Sequence, residues 1–153
     1  MRRIPVVLGA VLALVVGLGV FVAPAPAEAA PSTTSLANSI HGLTNTERTT
    51  RNLGKVGTNA CLKRYAQSHS QRQARENRMY HQQLRPILNA CGVRSVGENV
   101  AYGYPTARAV MVGWMNSPGH RANILKRGFN RLGVGVAYST SGRPYYTQVF
   151  GQI

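Results

Sequence analysis

Trp114-Met115-Asn116-Ser117-Pro118-Gly119-His120-Arg121-Ala122-Asn123-Ile124-Leu125 holds a helix end, a turn and a new start within twelve residues. Thr106 can cap the helix before it, and Ala107, Val110, Met111 and Trp114 mark one apolar face at helical spacing. Asn116 to Gly119 is turn chemistry, and His120 to Leu125 reads as a short helix stopped by Gly128.

Downstream the pattern changes period. Val134, Val136 and Tyr138 alternate with Gly133, Gly135 and Ala137; Tyr145, Thr147 and Val149 alternate with Tyr146, Gln148 and Phe150. With Ser141-Gly142 between them, these runs predict an antiparallel hairpin. Glycine at alternate positions leaves one strand face bare, so another element must pack close there.

Upstream lie two further helices. Leu36, Ile40 and Leu43 share a face, with Glu47 and Arg51 four apart, and the helix should end near Gly54. Pro31 to Ser35 reads as loose. The second helix starts from Thr58 or Asn59 as cap, carries Leu62, Tyr65, Ala66 and His69, and runs to about Met79. Pro86 and Gly92 read as breaking the next stretch into a loop. Helices first and strands last predict an α+β domain. No repeat or internal linker is visible.

The chain has 153 residues, about one domain, and carries 18 Lys+Arg against 4 Asp+Glu. All four acids are glutamates: Glu28, Glu47, Glu76 and Glu98. Carboxylate cages and two-metal carboxylate sites are therefore excluded. The start has the layout of a secretory signal: Arg2-Arg3, an apolar run from Ile4 to Val22, then small residues with Ala27-Glu28-Ala29 as cleavage site. We expect residues 1–29 to be removed and residues 30–153 to form the domain, secreted to the cell exterior. The alternative is an uncleaved membrane anchor, since the apolar run nears the length of a span. Export favours a bond between the only two cysteines, Cys61 and Cys91. Closing a loop of that size stabilises a fold by about 3–4 kcal/mol in the chain-entropy model.

His41 and His69 sit on helix patterns and read as packed or surface histidines. His81 and His120 lie in turn-rich sequence outside helices. Glu98, in Val96-Gly97-Glu98-Asn99-Val100, is a candidate functional acid.

Together these segments resemble a known family. Ala66-Gln67-Ser68-His69-Ser70, Tyr80-His81, Gly97-Glu98-Asn99-Val100-Ala101, the Trp114–Leu125 stretch, Gly133-Val134-Gly135 and Tyr145-Tyr146-Thr147-Gln148-Val149-Phe150-Gly151 occur in order. From about Leu36 to Ile153 the chain resembles the CAP domain (cysteine-rich secretory proteins, antigen 5, pathogenesis-related proteins), also called the SCP domain, in its short bacterial form. The resemblance implies an α-β-α sandwich with a small antiparallel sheet between helical layers. It implies a cleft with two histidines and two glutamates, often holding a divalent metal, commonly zinc. Matched by motif, the metal histidines are His81 and His120, and Glu98 takes the first glutamate's place. The family's second glutamate lies three residues after a tryptophan; after Trp114 that position is Ser117.

Zn²⁺ or another divalent cation would find two imidazoles, while catalytic zinc usually has three protein ligands. Glu98 is open to three roles: third ligand, partner orienting a histidine, or base on bound water. A purely structural polar network is the alternative to a metal site. Ser117 and His120 are near in sequence, but no Asp exists to orient the histidine as in a serine hydrolase.

The basic residues form two candidate sites for anionic ligands: Arg72, Arg75 and Arg78 with Lys63 and Arg64, and Lys126 and Arg127 with Arg131. Anionic cell-envelope polymers or lipid head groups are the expected partners. Specific nucleic-acid recognition is not expected, because no module for it is visible. The leading reading is a secreted binding module acting at the envelope; the rival is a metal-dependent hydrolase acting on peptide or wall polymer. The missing second acid favours binding over catalysis.

Overall fold

A computed structural model describes residues 31–153; the expected signal segment and its cleavage site lie outside them. Nine elements follow in order: α1 (Thr33–Thr49), β1 (Gly57–Thr58), α2 (Ala60–Glu76), α3 (Arg85–Cys91), β2 (Ser95–Tyr102), α4 (Ala107–Asn116), α5 (Pro118–Leu125), β3 (Arg131–Tyr138) and β4 (Pro144–Gln152).

Local chemistry starts the main helices. Asn59 caps α2, its Oδ1 accepting from Leu62 N at 2.9 Å, and Thr106 caps α4, accepting from Ala109 N at 3.1 Å. Ser32 caps α1, accepting from Ser35 N at 3.1 Å, so the segment expected to be loose already begins that helix. α1 ends at Thr49, not near Gly54, and α2 ends at Glu76, where Asn77 turns left-handed with φ 48°. The stretch expected to be a loop holds α3. Pro86 sits in its first turn, where no intrahelical donor is needed, and Gly92 ends it with φ 61°.

β3 and β4 form the expected hairpin, within a sheet of order β1-β3-β4-β2. β1 joins β3 in parallel, and β2 runs antiparallel to β4 as an outer strand. The helices cover both faces, giving the expected α-β-α sandwich. One face meets α2, because Gly133 and Gly135 bring β3 against its backbone. A Cβ on Gly135 would stand 2.3 Å from the Ala66 carbonyl. The other face packs Leu132, Val134, Val136, Tyr146 and Phe150 on residues of α1, α4 and α5, with Trp114 buried among them.

Cys61 and Cys91 are disulfide-bonded with Cα atoms 5.6 Å apart, tying the start of α2 to the end of α3. Arg51 and Glu47 pair at 2.6 Å as the spacing predicts.

His41 is half-buried on α1, and its Nε2 has no hydrogen-bond partner among the described residues. Burial pushes its pKa below the ordinary histidine value. The unfolded chain thus takes up a proton more readily than the folded one as pH drops below about 6.5. Stability from this group is full above that value and is lost as pH falls through it toward the lowered folded pKa. Urea unfolding between neutral and mildly acidic pH should show a shallower loss for His41→Gln than for the wild type. Equal slopes would remove His41 as a source.

Candidate functional site

α2 prepares the segment that follows it. His69 is fully buried, as a packed histidine; its Nε2–H donates to the Tyr80 carbonyl at 2.7 Å. Gln73 Oε1 accepts from Tyr80 N at 3.3 Å. Tyr80 is held at both its peptide groups, and this aims His81 at the edge of β2. Glu98 points from β2 to meet it.

Glu98 Oε1 accepts from His81 Nδ1 at 2.8 Å and from Gln82 N at 3.2 Å, while Oε2 accepts from Gln82 Nε2 at 2.6 Å. The Glu98 side chain is 1% exposed and that of His81 61%. An ionised carboxylate only accepts, so Nδ1 of His81 carries the proton and Nε2 bears the free lone pair. Both carboxylate oxygens are engaged.

The opposite wall belongs to α5. His120 lies inside α5, which starts two residues earlier, at Pro118, than the short helix read from His120 to Leu125, so it is not outside a helix in turn-rich sequence. Ser117, the residue before α5, lines the same cavity of about 420 Å³ with His81, Glu98, His120 and Asn123. α5 is pinned to β2 by amides. Asn123 Nδ2 donates to Glu98 O at 2.9 Å and to Asn99 Oδ1 at 3.0 Å, and Asn99 Nδ2 donates to His120 O at 3.1 Å. Burial first, and repulsion from His81 whenever that imidazole is protonated second, lower the His120 pKa below the ordinary histidine value.

A family model described as the cysteine-rich secretory protein family, CAP, matches residues 41–150. The chain belongs to the CAP family. It is similar to uncharacterized protein YkwD of Bacillus subtilis (strain 168), at 34% identity over 144 residues covering 85% of this chain and 55% of that protein. Among solved structures it is similar to an extracellular protein containing an SCP domain from Bacillus anthracis str. Ames. That match has TM-score 0.71 and 30% identity, over 79% of this chain and 41% of that one. It shares the fold of an outer surface protein from Borrelia burgdorferi, with TM-score 0.73 and 16% identity, over 80% and 96% of the two chains. The CAP chain described here thus spans about half the length of YkwD.

Among the described residues no group of three or more His, Cys, Asp or Glu is arranged to hold a metal ion. The donor set of this CAP cleft is two imidazoles, with Glu98 behind one of them. The cationic candidates do not join it. Arg72 and Arg75 are exposed on α2 with Lys63 and Arg64, and Arg78 follows α2, 3.5 Å from Glu76. Lys126 Nζ donates to Ser95 Oγ at 3.0 Å beyond the end of α5, and Arg127 is exposed beside it. Gln82 and Asn123 were not singled out from the sequence as site residues. An amide that partners a carboxylate has no spacing signature, and Gln82 meets Glu98 only because β2 lies beside residues 80–82.

Proposed function

We propose that this CAP domain is an extracellular binding module, with a divalent-cation site at His81 and His120 and a basic surface that holds anionic envelope polymers or lipid head groups. The engagement of both Glu98 oxygens carries the reading. A hydrolase needs a carboxylate free to act on water, and Glu98 is held by His81 and Gln82 while Ser117 stands where the family's second acid would be. Glu98 fits the orienting role best: it fixes the His81 tautomer that leaves Nε2 for a cation.

Zn²⁺ bound here would supply a Lewis-acidic charge with positions left for an external ligand. His81 and His120 would hold it, and Gln82 would keep Glu98 in place. The basic surface acts separately. Residues 30–153 keep 16 Lys+Arg against three glutamates, and such an excess attracts polyanions with an affinity that falls steeply with salt.

Calorimetric zinc titration tests the cleft. His81→Ala and His120→Ala should each remove most binding, since one imidazole remains. Glu98→Gln should weaken binding by about tenfold, the scale of losing an orienting partner. Affinity that survives both histidine substitutions places the metal elsewhere.

A further inference from the structure

The cleft continues past His120. Ser117 and His120 also line a second, larger cavity of about 510 Å³, walled by Met79, Tyr102, Tyr104 and Trp114. The two cavities follow β2, the outer strand of the sheet, from Val96 to Tyr102.

Gly103 N donates to Pro144 O at 2.8 Å. Antiparallel alternation then points the odd-numbered peptide groups of β2 at β4 and the even-numbered ones at the open edge. Two side chains already use that edge: Asn123 Nδ2 donates to Glu98 O at 2.9 Å, and Trp114 Nε1 donates to Val100 O at 3.2 Å. Tyr102 is the next even residue. It turns both N–H and C=O outward, and no side chain among the described residues hydrogen-bonds to them. An edge of this kind is a template for another strand.

The surrounding wall is fixed. Tyr146 Oη donates to Tyr104 O at 2.6 Å, and Tyr104 lies so close on Gly113 that a Cβ there would clash with its hydroxyl. Tyr102 stacks on Tyr145 with ring centroids 5.7 Å apart; the Arg143 guanidinium, which lines the adjoining cavity that shares Gly103 with this one, lies 5.6 Å from the Tyr102 centroid. With Tyr145 and Arg143 against the ring, Tyr102 is a poor platform for a sugar. Arg143 makes no salt bridge among the described residues, where Glu47, Glu76 and Glu98 already pair with Arg51, Arg78 and His81.

We propose that this groove binds an extended acidic peptide segment of a partner protein. The segment adds to the edge of β2 at Tyr102, lays apolar side chains against Met79 and Tyr104, and places a carboxylate on Arg143. Pairing is confined to the Tyr102 end because Asn123 and Trp114 occupy the carbonyls farther along. This ligand is separate from the cation and needs no metal.

Fluorescein-labelled octapeptides test it, with Glu or Asp at alternate positions and Val, Ile, Leu or Phe between, titrated by fluorescence polarisation. Members of the set should bind saturably. N-methylation of alternate peptide bonds should weaken binding by about tenfold or more, the scale of one or two lost hydrogen bonds. Arg143→Glu, which leaves the histidines untouched, should do the same. Amide exchange at Tyr102 should slow in the complex. The proposal is overturned if no octapeptide binds better than its N-methylated form, or if Arg143→Glu changes nothing. It is also overturned if a chitin oligomer displaces the peptides and binds more tightly, which would make the groove a glycan site. Zinc affinity of the same samples reads the histidine site independently, so the two readings fail separately.

Discussion

Gly135→Ala should be among the most damaging single-atom additions to this domain. The new Cβ would stand 2.3 Å from the carbonyl carbon and oxygen of Ala66, where carbon contacts are comfortable at about 3.5–4.0 Å. Backbone lies on both sides of the clash, so no rotamer relieves it and α2 must move off β3. That movement strains the Ser70 Oγ bond to Gly135 O at 3.0 Å and the Gln67 Nε2 bond to Val136 O at 3.0 Å. Overpacking against movable side chains costs about 1–3 kcal/mol, and we expect about 3–5 kcal/mol here. For a domain of this size that lowers the unfolding midpoint by about 10–20 °C. Gly42→Ala is the control: nothing lies within 4 Å of its Cβ position, it sits inside α1, and it should stabilise by about 0.5–1 kcal/mol. A Gly135→Ala protein melting with the wild type would show that α2 does not seat on β3 in this way.

Arg48→Met should cost about 4 kcal/mol, roughly one for each carbonyl hydrogen bond lost. Arg48 is 1% exposed and has no carboxylate partner among the described residues. Its guanidinium instead donates to four backbone carbonyls: Gly54 O at 2.7 Å, Ile124 O and Lys126 O both at 2.9 Å, and Phe129 O at 2.8 Å. The positive charge lies at the C-terminal end of α5, where the helix dipole favours it. One residue thereby joins α1, the end of α5 and the approach to β3. Arg48→Lys keeps the charge but not the planar fork, and should lose about half as much. Urea unfolding of both variants checks the order; a lysine variant as stable as the wild type would remove the geometric argument. Because α5 carries His120, Arg48→Met should also weaken the zinc binding proposed for the cleft, although Arg48 lies outside it.

Much of this fold is legible from neighbouring residues. Asn59 and Thr106 cap helices through bonds three positions ahead, and the hairpin alternates as written. The bare face of β3 is visible in Gly133 and Gly135. β2 is not visible, because Gly97, Glu98 and Asn99 interrupt any strand pattern. Pairing with β4 holds it extended, supported by the bond of Asn99 Nδ2 to Gln148 Oε1 at 3.0 Å. α3 is hidden for the opposite reason. Pro86 and Gly92 are as good at opening and closing a helix as at breaking one, and the Cys61–Cys91 bond and the buried Ile87 decide which.

The sequence by itself determined where α2 and α4 start, that the last two strands form a hairpin, and that two cysteines are available to pair. It also determined that few acids are present for chemistry. These depend on contacts within about four positions or on composition alone. Only the tertiary structure decided what Glu98 does. Its oxygens are reached by His81 and Gln82 across 17 and 16 positions, through a strand that exists only when β4 is beside it. The same holds for His120, inside a helix that Asn123 pins to β2, and for the open edge at Tyr102, which appears only because β2 is outermost. Local preference places caps and turns; which carboxylate oxygen is free, and which strand edge is bare, depends on elements that meet across long stretches of chain.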